Sequence, residues 1–429
     1  MQSAQTTPEA APESERPAAS RLRGFAERFV LDTSEHEPVY LLTTADGRYL
    51  RLSRSAFHLL EMMEAGTPEE EVAECFGRGS ARSVTCEEVR AAYERLMERV
   101  RELDKEVDPS PLGLRFARPV IPAETVRRIS APLTGAFSWP AAFALLAVVA
   151  FGTGLYVEDL RTLNVSTLLP FFWPGYALFW LSLVAHELGH ASACARFGAR
   201  PADIGVGVWF IYPALYSDVT DAWRLTRWER VAVDIGGIYF QAVVGAVYVI
   251  AFQLTGWRAL EAAGMFIAAN CLFSLNPLFK FDGYWIISDA LGVTNLKSDA
   301  RRLVAVLWAW LRGRESTGVR WSRWVAVAIL FFGALAAAAW GYFMVRVVPS
   351  IVRRILAYPE VAMDFGRDLV ARHGMVGTDR VLAFLLTTLL TLLGARLVVD
   401  MTRRTAVRAH KAGRAALERL RPAATSGKG

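Results

Sequence analysis

A charge-free apolar run over residues 168–185 constrains the fold of this chain more than any other feature of its sequence. Its length approaches the roughly 20 residues that an α-helix needs to cross a bilayer. Because the bilayer core holds no water to pair with free backbone groups, a spanning segment of this kind has to be helical. Of the 429 residues, 53% are hydrophobic, and the mean hydropathy is +0.26. A mainly α membrane protein is therefore predicted.

Apolar runs elsewhere in the chain predict about six transmembrane helices, the fourth of them interrupted. The predicted spans cover residues 137–157, 168–195, 231–254, 259–275 continuing into 278–291, 324–347 and 381–399. The alternating, β-prone segment 203–213 follows the second span. It is interpreted either as an edge for strand addition by a substrate or as a re-entrant loop that closes a cavity.

The basic residues indicate the orientation of the spans. Net charge is +6 and the pI is about 9.2, and Arg and Lys cluster in 297–323 and 403–421. The short loops 158–167 and 255–258 hold only Arg161 and Arg258 as basic residues. The positive-inside rule therefore predicts a multi-pass membrane protein with both termini in the cytoplasm. The sequence contains no basic patch with interleaved aromatic residues apart from the membrane spans, so nucleic-acid binding is not predicted.

The chain is predicted to contain five regions. A disordered tail, 1–24, precedes a small soluble α+β domain, 25–106, and a linker, 107–135. A polytopic membrane domain, 136–400, and a basic cytoplasmic tail, 401–429, follow. In the soluble domain, three strand candidates precede three helices, with the hairpin signal Asp46-Gly47 between the second and third strands. Ser53 and the pairs Thr67/Glu70 and Thr85/Glu88 are helix-capping patterns.

The sequence His186-Glu187-Leu188-Gly189-His190 lies at the end of the second predicted span. Helix positions i and i+4 share a face, so both histidines can bind one metal ion. Glu187 lies between them and would act as the general base towards water at that metal. Charged and metal-binding residues at bilayer depth indicate a functional site, since burying them is costly.

A catalytic zinc site needs a third protein ligand, and the remaining carboxylates at this depth are Asp282 and Asp234. Asp282 follows Asn276-Pro277, where Pro277 breaks the helix and frees backbone groups. Gly283 allows a close approach of the chain to the metal. Asp234 is explained adequately by an interfacial ion pair with Arg227 or Arg230. Asp282 is therefore the favoured ligand, and Asp234 is the alternative.

These motifs, in this order over about 137–292, resemble the site-2 protease family of intramembrane zinc metalloproteases. The resemblance implies His186, His190 and Asp282 as zinc ligands and Glu187 as general base. The family's Gly-Pro-x-x-Asn element appears here as Gly236-Gly237-Ile238-Tyr239-Phe240-Gln241, and its Leu-Asp-Gly as Phe281-Asp282-Gly283. These departures resemble the branch found with bacterial peptide and bacteriocin maturation genes.

The order of elements in the soluble domain, together with the segment 49–57, resembles the PqqD-like, winged-helix-type domain that binds leader peptides of ribosomally made, modified peptides. A generic regulatory domain is the alternative. The predicted function is a membrane zinc endopeptidase that matures a small precursor peptide or removes its leader. The predicted partners are a leader-bearing peptide, membrane lipid and, as a candidate, an export transporter.

Two alternatives to peptide maturation are kept. One is a protease that releases a membrane-bound regulator, and the other is a non-proteolytic immunity or export accessory protein. Proteolysis also needs a donor for the oxyanion of the tetrahedral intermediate. The sequence offers Asn270, Asn276 and Gln241 as candidates and does not choose among them.

Overall fold

The computed structural model of the chain describes residues 25–34, 38–44, 49–78, 83–105, 114–161, 165–209, 212–313, 321–371 and 377–420. It divides into two compact units, Met1–Leu330 and Phe331–Gly429. The predictions for the tail 1–24, the turn Asp46-Gly47, residues 210–211 of the β-prone segment and residues 421–429 of the basic tail lie outside the described residues.

The N-terminal part of the first unit has the predicted order of three strands and three helices. Its strands, β1 (Phe25–Leu31), β2 (Val39–Thr44) and β3 (Tyr49–Leu52), form an antiparallel sheet in the order β1-β2-β3. The helices are α1 (Arg54–Glu64), α2 (Glu69–Arg78) and α3 (Cys86–Lys105).

Local capping starts two of these helices as predicted. The Ser53 hydroxyl accepts a 3.2 Å hydrogen bond from the Ala56 amide at the start of α1. Thr85 and Glu88 form a reciprocal capping box before α3, with bonds of 3.1 and 3.3 Å. The apolar faces of the sheet, α1 and α3 then meet in one cluster, formed by Leu42, Leu52, Phe57, Leu60, Leu96 and Met97. A second cluster joins α2 to α1 and α3 through Leu59, Val72, Ala73 and Val89.

The segment predicted as a linker, 107–135, is structured in its described part. It contains β4 (Arg115–Ile121) and α4 (Ala123–Leu133), and α4 packs against the second membrane helix through Val126 and Ala191. β4 pairs with a hairpin of β5 (Ile204–Trp209) and β6 (Tyr212–Ser217) in the order β4-β5-β6. A short strand of this kind pairs only with partners that are distant in sequence, so local patterns did not indicate it.

Further helices follow in the first unit. They are α5 (Trp139–Leu160), α6 (Phe172–Arg196), α7 (Arg227–Thr255), α8 (Arg258–Ser274), α9 (Asp282–Ala290) and α10 (Leu296–Leu311). A Thr226–Glu229 capping box starts α7, and Gly256 ends it at φ 68°. α6 and α7 make the most extensive helix contact in this unit.

Five helical segments in the described residues are long and apolar enough to cross a membrane, whereas about six were predicted. They are Trp139–Leu160, Thr167–Arg196, Arg227–Thr255, Arg323–Ala371 and Ala383–Arg403. The interrupted fourth prediction is not among them, because α8 ends at Ser274 after 17 residues and α9 begins only at Asp282. A side chain at Gly283 would overlap the Leu275 backbone, so this close corner requires glycine.

The second unit is a helical hairpin. A helix begins as α11 (Arg323–Tyr342) before the boundary between the units and continues through a π-helical turn, Phe343–Val347, into α12 (Val348–Ala371). α12 packs on α13 (Thr378–Leu420). Phe365 stacks on Phe384 with ring centroids 4.1 Å apart, and Tyr358 shares a 2.8 Å hydrogen bond with Thr388.

Candidate metal centre

His186 and His190 lie one turn apart on a buried face of α6. This face meets α7 at a close helix crossing, where Gly189 packs against the backbone of Gly236 with no room for a side chain on either residue. Small residues allow this approach between membrane helices. The crossing brings α7 close enough to contact both imidazoles.

The structure brings Asp282 to the two histidines. Nε2 of His186 and Nε2 of His190 are 3.1 Å apart, and the Asp282 carboxylate oxygens lie 3.2 Å from the first and 3.6 Å from the second. All three residues can offer ligand atoms within 4.8 Å of one another. A tetrahedral zinc with bonds of about 2.1 Å separates its ligand atoms by about 3.4 Å. The spacing matches that geometry.

Hydrogen bonds at the outer ring nitrogens fix the direction of both imidazoles. His190 Nδ1 lies 2.8 Å from the Val233 carbonyl oxygen, which can only accept, so Nδ1 donates the hydrogen. His186 Nδ1 lies 3.2 Å from Gln241 Oε1 and donates in the same way. In neutral imidazoles, both Nε2 atoms then carry lone pairs. Two lone pairs and a carboxylate facing one another fit a bound cation.

Gly237 keeps space open beside these ligand atoms. A methyl group at this position would overlap Nε2 of both His186 and His190. Gly237 follows Val233 by one helical turn and precedes Gln241 by one, so these three positions line the same face of α7. The sequence signal for this face was the Gly236-Gly237 pair, interpreted above only as a departure from a family motif.

Asp282 occupies the first turn of α9, directly after the broken segment between α8 and α9. Asn276 Oδ1 accepts a 2.9 Å hydrogen bond from the Leu278 amide, and Lys297 Nζ donates a 2.7 Å bond to the Leu278 carbonyl. The break therefore has its own hydrogen-bond partners. It turns the chain so that the Asp282 carboxylate faces α6.

Glu187 lies beside the metal ligands and is also buried. Its carboxylate accepts a hydrogen bond from the backbone N–H of Ser217, the last residue of β6. Residues 213–217 of β6 line the same cavity as Glu187, and no strand in the described residues pairs with the outer edge of β6. The outer edge of the sheet, which no further strand in the described residues covers, therefore runs past the candidate base.

The cavity beside this centre has a volume of about 970 Å³. Its lining is aromatic where α6 and α8 meet and more polar towards the α7 N-terminus. The aromatic part is lined by Tyr176, Phe179, Phe266 and Phe273, and the polar part by Asp218, Arg230, Asp234 and Asp289. Such a volume is in the range of pockets that bind organic molecules.

The three oxyanion candidates have different surroundings. Asn270 lines the cavity and donates a 2.9 Å hydrogen bond to Gln241 Oε1. Gln241 is fully buried and does not line the cavity, and its Nε2 donates to the Ser182 hydroxyl at 3.1 Å. Asn276 Oδ1 accepts a hydrogen bond from the Leu278 amide, in the segment between α8 and α9. Of these side chains, Asn270 is the one placed to face a substrate in the cavity.

Asp234 is not the partner of Arg230, contrary to the expected ion pair. Arg230 Nε donates to Asp289 at 2.7 Å, and Asp289 in turn shares a hydrogen bond with Asp234. Burial raises the pKa of Asp289 above its ordinary value, against the opposing effect of the Arg230 charge. Asp234 therefore belongs to a second buried cluster beside the metal ligands.

The N-terminal domain contacts the polar end of this cavity. Trp223 lines the cavity and packs on Leu31, Val39 and Leu41 of the domain. The Asp32 backbone carbonyl accepts a 2.9 Å hydrogen bond from Arg230, and its side chain accepts one of the same length from the Arg227 amide. Sequence reasoning missed this contact, because it joins residues nearly 200 positions apart.

No protein-family model matches the chain, and no solved structure matches it. Among curated proteins, the chain is 28% identical over 111 residues to "Putative peptide zinc metalloprotease protein YydH" of Bacillus subtilis (strain 168). The match covers 25% of this chain and 44% of that relative, which is less than half of either protein. The similarity supports a zinc metalloprotease-like relationship for this part of the chain.

Proposed function

We propose that the chain is a membrane-embedded zinc endopeptidase that cleaves a small precursor peptide. The observation that carries the proposal is the convergence of His186, His190 and Asp282 with a buried Glu187 beside a large cavity. The similarity to a protein named as a peptide zinc metalloprotease supports the same chemistry. The proposed setting is the bacterial inner membrane, with both termini in the cytoplasm.

The residues divide the chemical work as follows. His186, His190 and Asp282 would hold the zinc ion, which supplies Lewis-acid polarisation of the scissile carbonyl and activation of water when bound. Glu187 would take the proton of the attacking water and later transfer it to the leaving amine. Asn270 would stabilise negative charge on the carbonyl oxygen through the amide hydrogen that it does not donate to Gln241.

A substrate has to be extended at this site, because peptide bonds within a helix are shielded. The segment 203–213 was expected to offer an edge for this, but β5 lies between β4 and β6 in the sheet. We therefore propose that the outer edge of β6 binds the substrate by strand addition. The edge lines the cavity next to Glu187, and the Ser217 amide contacts that carboxylate. The chain of the substrate would then run past the base in an extended conformation.

Zinc removal tests this function directly. The purified full chain in detergent should contain about one zinc ion per chain, as three protein ligands with one open position imply. It should cleave its precursor peptide, lose cleavage on chelation and regain it when zinc is restored. Metal analysis and mass spectrometry of the products measure both properties. A metal-free chain that still cleaves the peptide would contradict the proposal.

A non-proteolytic accessory protein is the alternative from another functional class. A purely structural zinc site is normally closed by four protein ligands. In the described residues, the group found here has three, and a carboxylate lies beside it. Release of a membrane-bound regulator is the alternative within the protease class. Comparing the cleavage rates of a short soluble precursor and of a membrane-anchored protein distinguishes peptide maturation from regulator release.

We further propose that the N-terminal domain recruits the leader of the substrate. Its contact with the cavity through Trp223 and Asp32 would place a bound leader close to the zinc site. Tethering of this kind raises the effective concentration of substrate. The leader would add near α3, along the outer edge of β3, with which no strand in the described part of the chain pairs. An export transporter is the further partner that this function would require for secretion of the product.

Charge reversal on α3 tests this recruitment. Glu87, Glu94 and Glu98 are exposed on this helix, and their charges would select the leader. Changing all three to Lys should slow cleavage of the full precursor much more than cleavage of a leaderless peptide. The measured quantity is the ratio of the two kcat/KM values.

The matched control for this test is charge reversal on α2. Glu70, Glu71 and Glu74 are exposed there, and the triple change to Lys alters net charge equally. It should leave the ratio close to that of the unmodified chain. If the α3 variant slows both substrates equally, leader recognition by this face is wrong, although the protease function would stand.

A further inference from the structure

We infer that Gln241 is a positioning residue that orients His186 for zinc binding and holds Asn270 at the cavity. The inference rests on the proposed zinc site and assigns Gln241 a role other than oxyanion donor. Gln241 lies within α7, is fully buried and is not part of the cavity wall. Its amide therefore acts through neighbouring side chains.

A chain of hydrogen bonds fixes the direction of the Gln241 amide. The Ser182 hydroxyl lies 2.6 Å from the Phe179 carbonyl oxygen, to which it must donate. Its lone pairs are then left to accept the 3.1 Å bond from Gln241 Nε2. The opposite end of the amide, Oε1, consequently faces the His186 ring. The backbone of α6 thus determines which amide atom meets His186.

Gln241 Oε1 then accepts three hydrogen bonds. His186 Nδ1 donates the first at 3.2 Å, Asn270 Nδ2 donates the second at 2.9 Å, and the Cys271 thiol donates a longer third at 3.7 Å. The first keeps the proton on Nδ1 and leaves Nε2 free for a metal ion. The second uses one hydrogen of the Asn270 amide, so the other can be donated to a substrate. One oxygen atom thereby orients a metal ligand and the proposed oxyanion donor together.

The matching spacing of residues on α6 and α7 explains how Gln241 contacts both Ser182 and His186. Ser182, His186 and His190 are four residues apart on α6, and Gln241, Gly237 and Val233 are four apart on α7. Gln241 meets the first two, Gly237 meets both histidines, and the Val233 carbonyl meets His190. α7 therefore supports the outer side of both ligands, with Gln241 as the one polar side chain in that row.

The test uses two variants of the full chain that differ in hydrogen bonding but little in size. Gln241→Met removes the acceptor, whereas Gln241→Glu keeps an oxygen that can accept from His186 and Asn270. Zinc affinity is measured by competition with a chelator, independently of cleavage. We expect Gln241→Met to bind zinc about 10–100-fold more weakly, as is typical when an outer partner of a metal ligand is lost. Gln241→Glu should bind it at least as tightly as the unmodified chain.

A control on the same helix guards against a general effect of losing an amide. Gln253 donates a 2.7 Å hydrogen bond to Asp159 near the far end of α7, so Gln253→Met should leave zinc affinity unchanged. Unchanged zinc affinity in Gln241→Met would overturn the inference, and so would equal weakening in the Met and Glu variants. If the unmodified chain binds no zinc, the proposed function itself fails, which is a distinguishable result.

Discussion

Replacing Glu187 with glutamine should abolish cleavage while leaving the zinc content unchanged. Glutamine has nearly the same size and keeps an oxygen near the Ser217 amide, but it cannot take a proton from water. General bases typically contribute about 10²–10⁴-fold to a rate, so a loss of that size is expected. Product formation by mass spectrometry, with zinc content measured on the same preparation, checks both parts.

Glu261→Gln is the matched control for this variant. Glu261 is also a buried glutamate in a helix of the same unit, but it pairs with Arg258 at 2.7 Å and does not line the cavity. This variant should cleave at nearly the normal rate. Substantial cleavage by Glu187→Gln would remove Glu187 from its proposed role, and an equal loss in both variants would indicate a general effect on folding.

Replacing Asp282 with alanine should remove most of the bound zinc. Only His186 and His190 would remain, and two ligands hold zinc less well than three. The loss of affinity should exceed the roughly 10–100-fold typical of an outer partner, and hence that expected for Gln241→Met. Chelator competition measures both variants on one scale, and cleavage should fall with zinc occupancy.

Asp234→Asn provides the comparison for Asp282. Asp234 lines the same cavity, but it bonds to Asp289 and is absent from the group of residues that could hold a metal. Asparagine can keep one hydrogen bond to Asp289, so zinc content should change little. If Asp234→Asn loses zinc and Asp282→Ala keeps it, the assignment of the third ligand has to be exchanged between them.

Much of the local structure could be predicted from short-range patterns. The apolar runs predicted the helices that include α5, α6 and α7, because hydropathy is a property of each segment alone. The order of strands and helices in the N-terminal domain followed from capping and alternation over a few residues. The placement of both histidines on one helix face followed from the period of the α-helix.

Contacts between distant segments could not be predicted in this way. β4 appeared as part of a linker, because its partner β5 lies about 90 residues later and the pairing depends on the fold around it. The hydrogen bond from Arg230 to the Asp32 carbonyl could not be predicted for the same reason. Only the folded chain shows that the N-terminal domain adjoins the cavity.

The candidate metal centre likewise combines residues that a local motif identifies with residues that only helix packing places. His186, Glu187 and His190 are identifiable because five consecutive residues on a helix fix their relative positions. The sequence favoured Asp282 as third ligand with Asp234 as the alternative, and it left three oxyanion candidates unseparated. Packing of α7 and α9 against α6 places Asp282 beside both Nε2 atoms, Asp234 beside Asp289, and Gln241 behind His186. Such distances depend on how whole helices pack, and no local pattern encodes them.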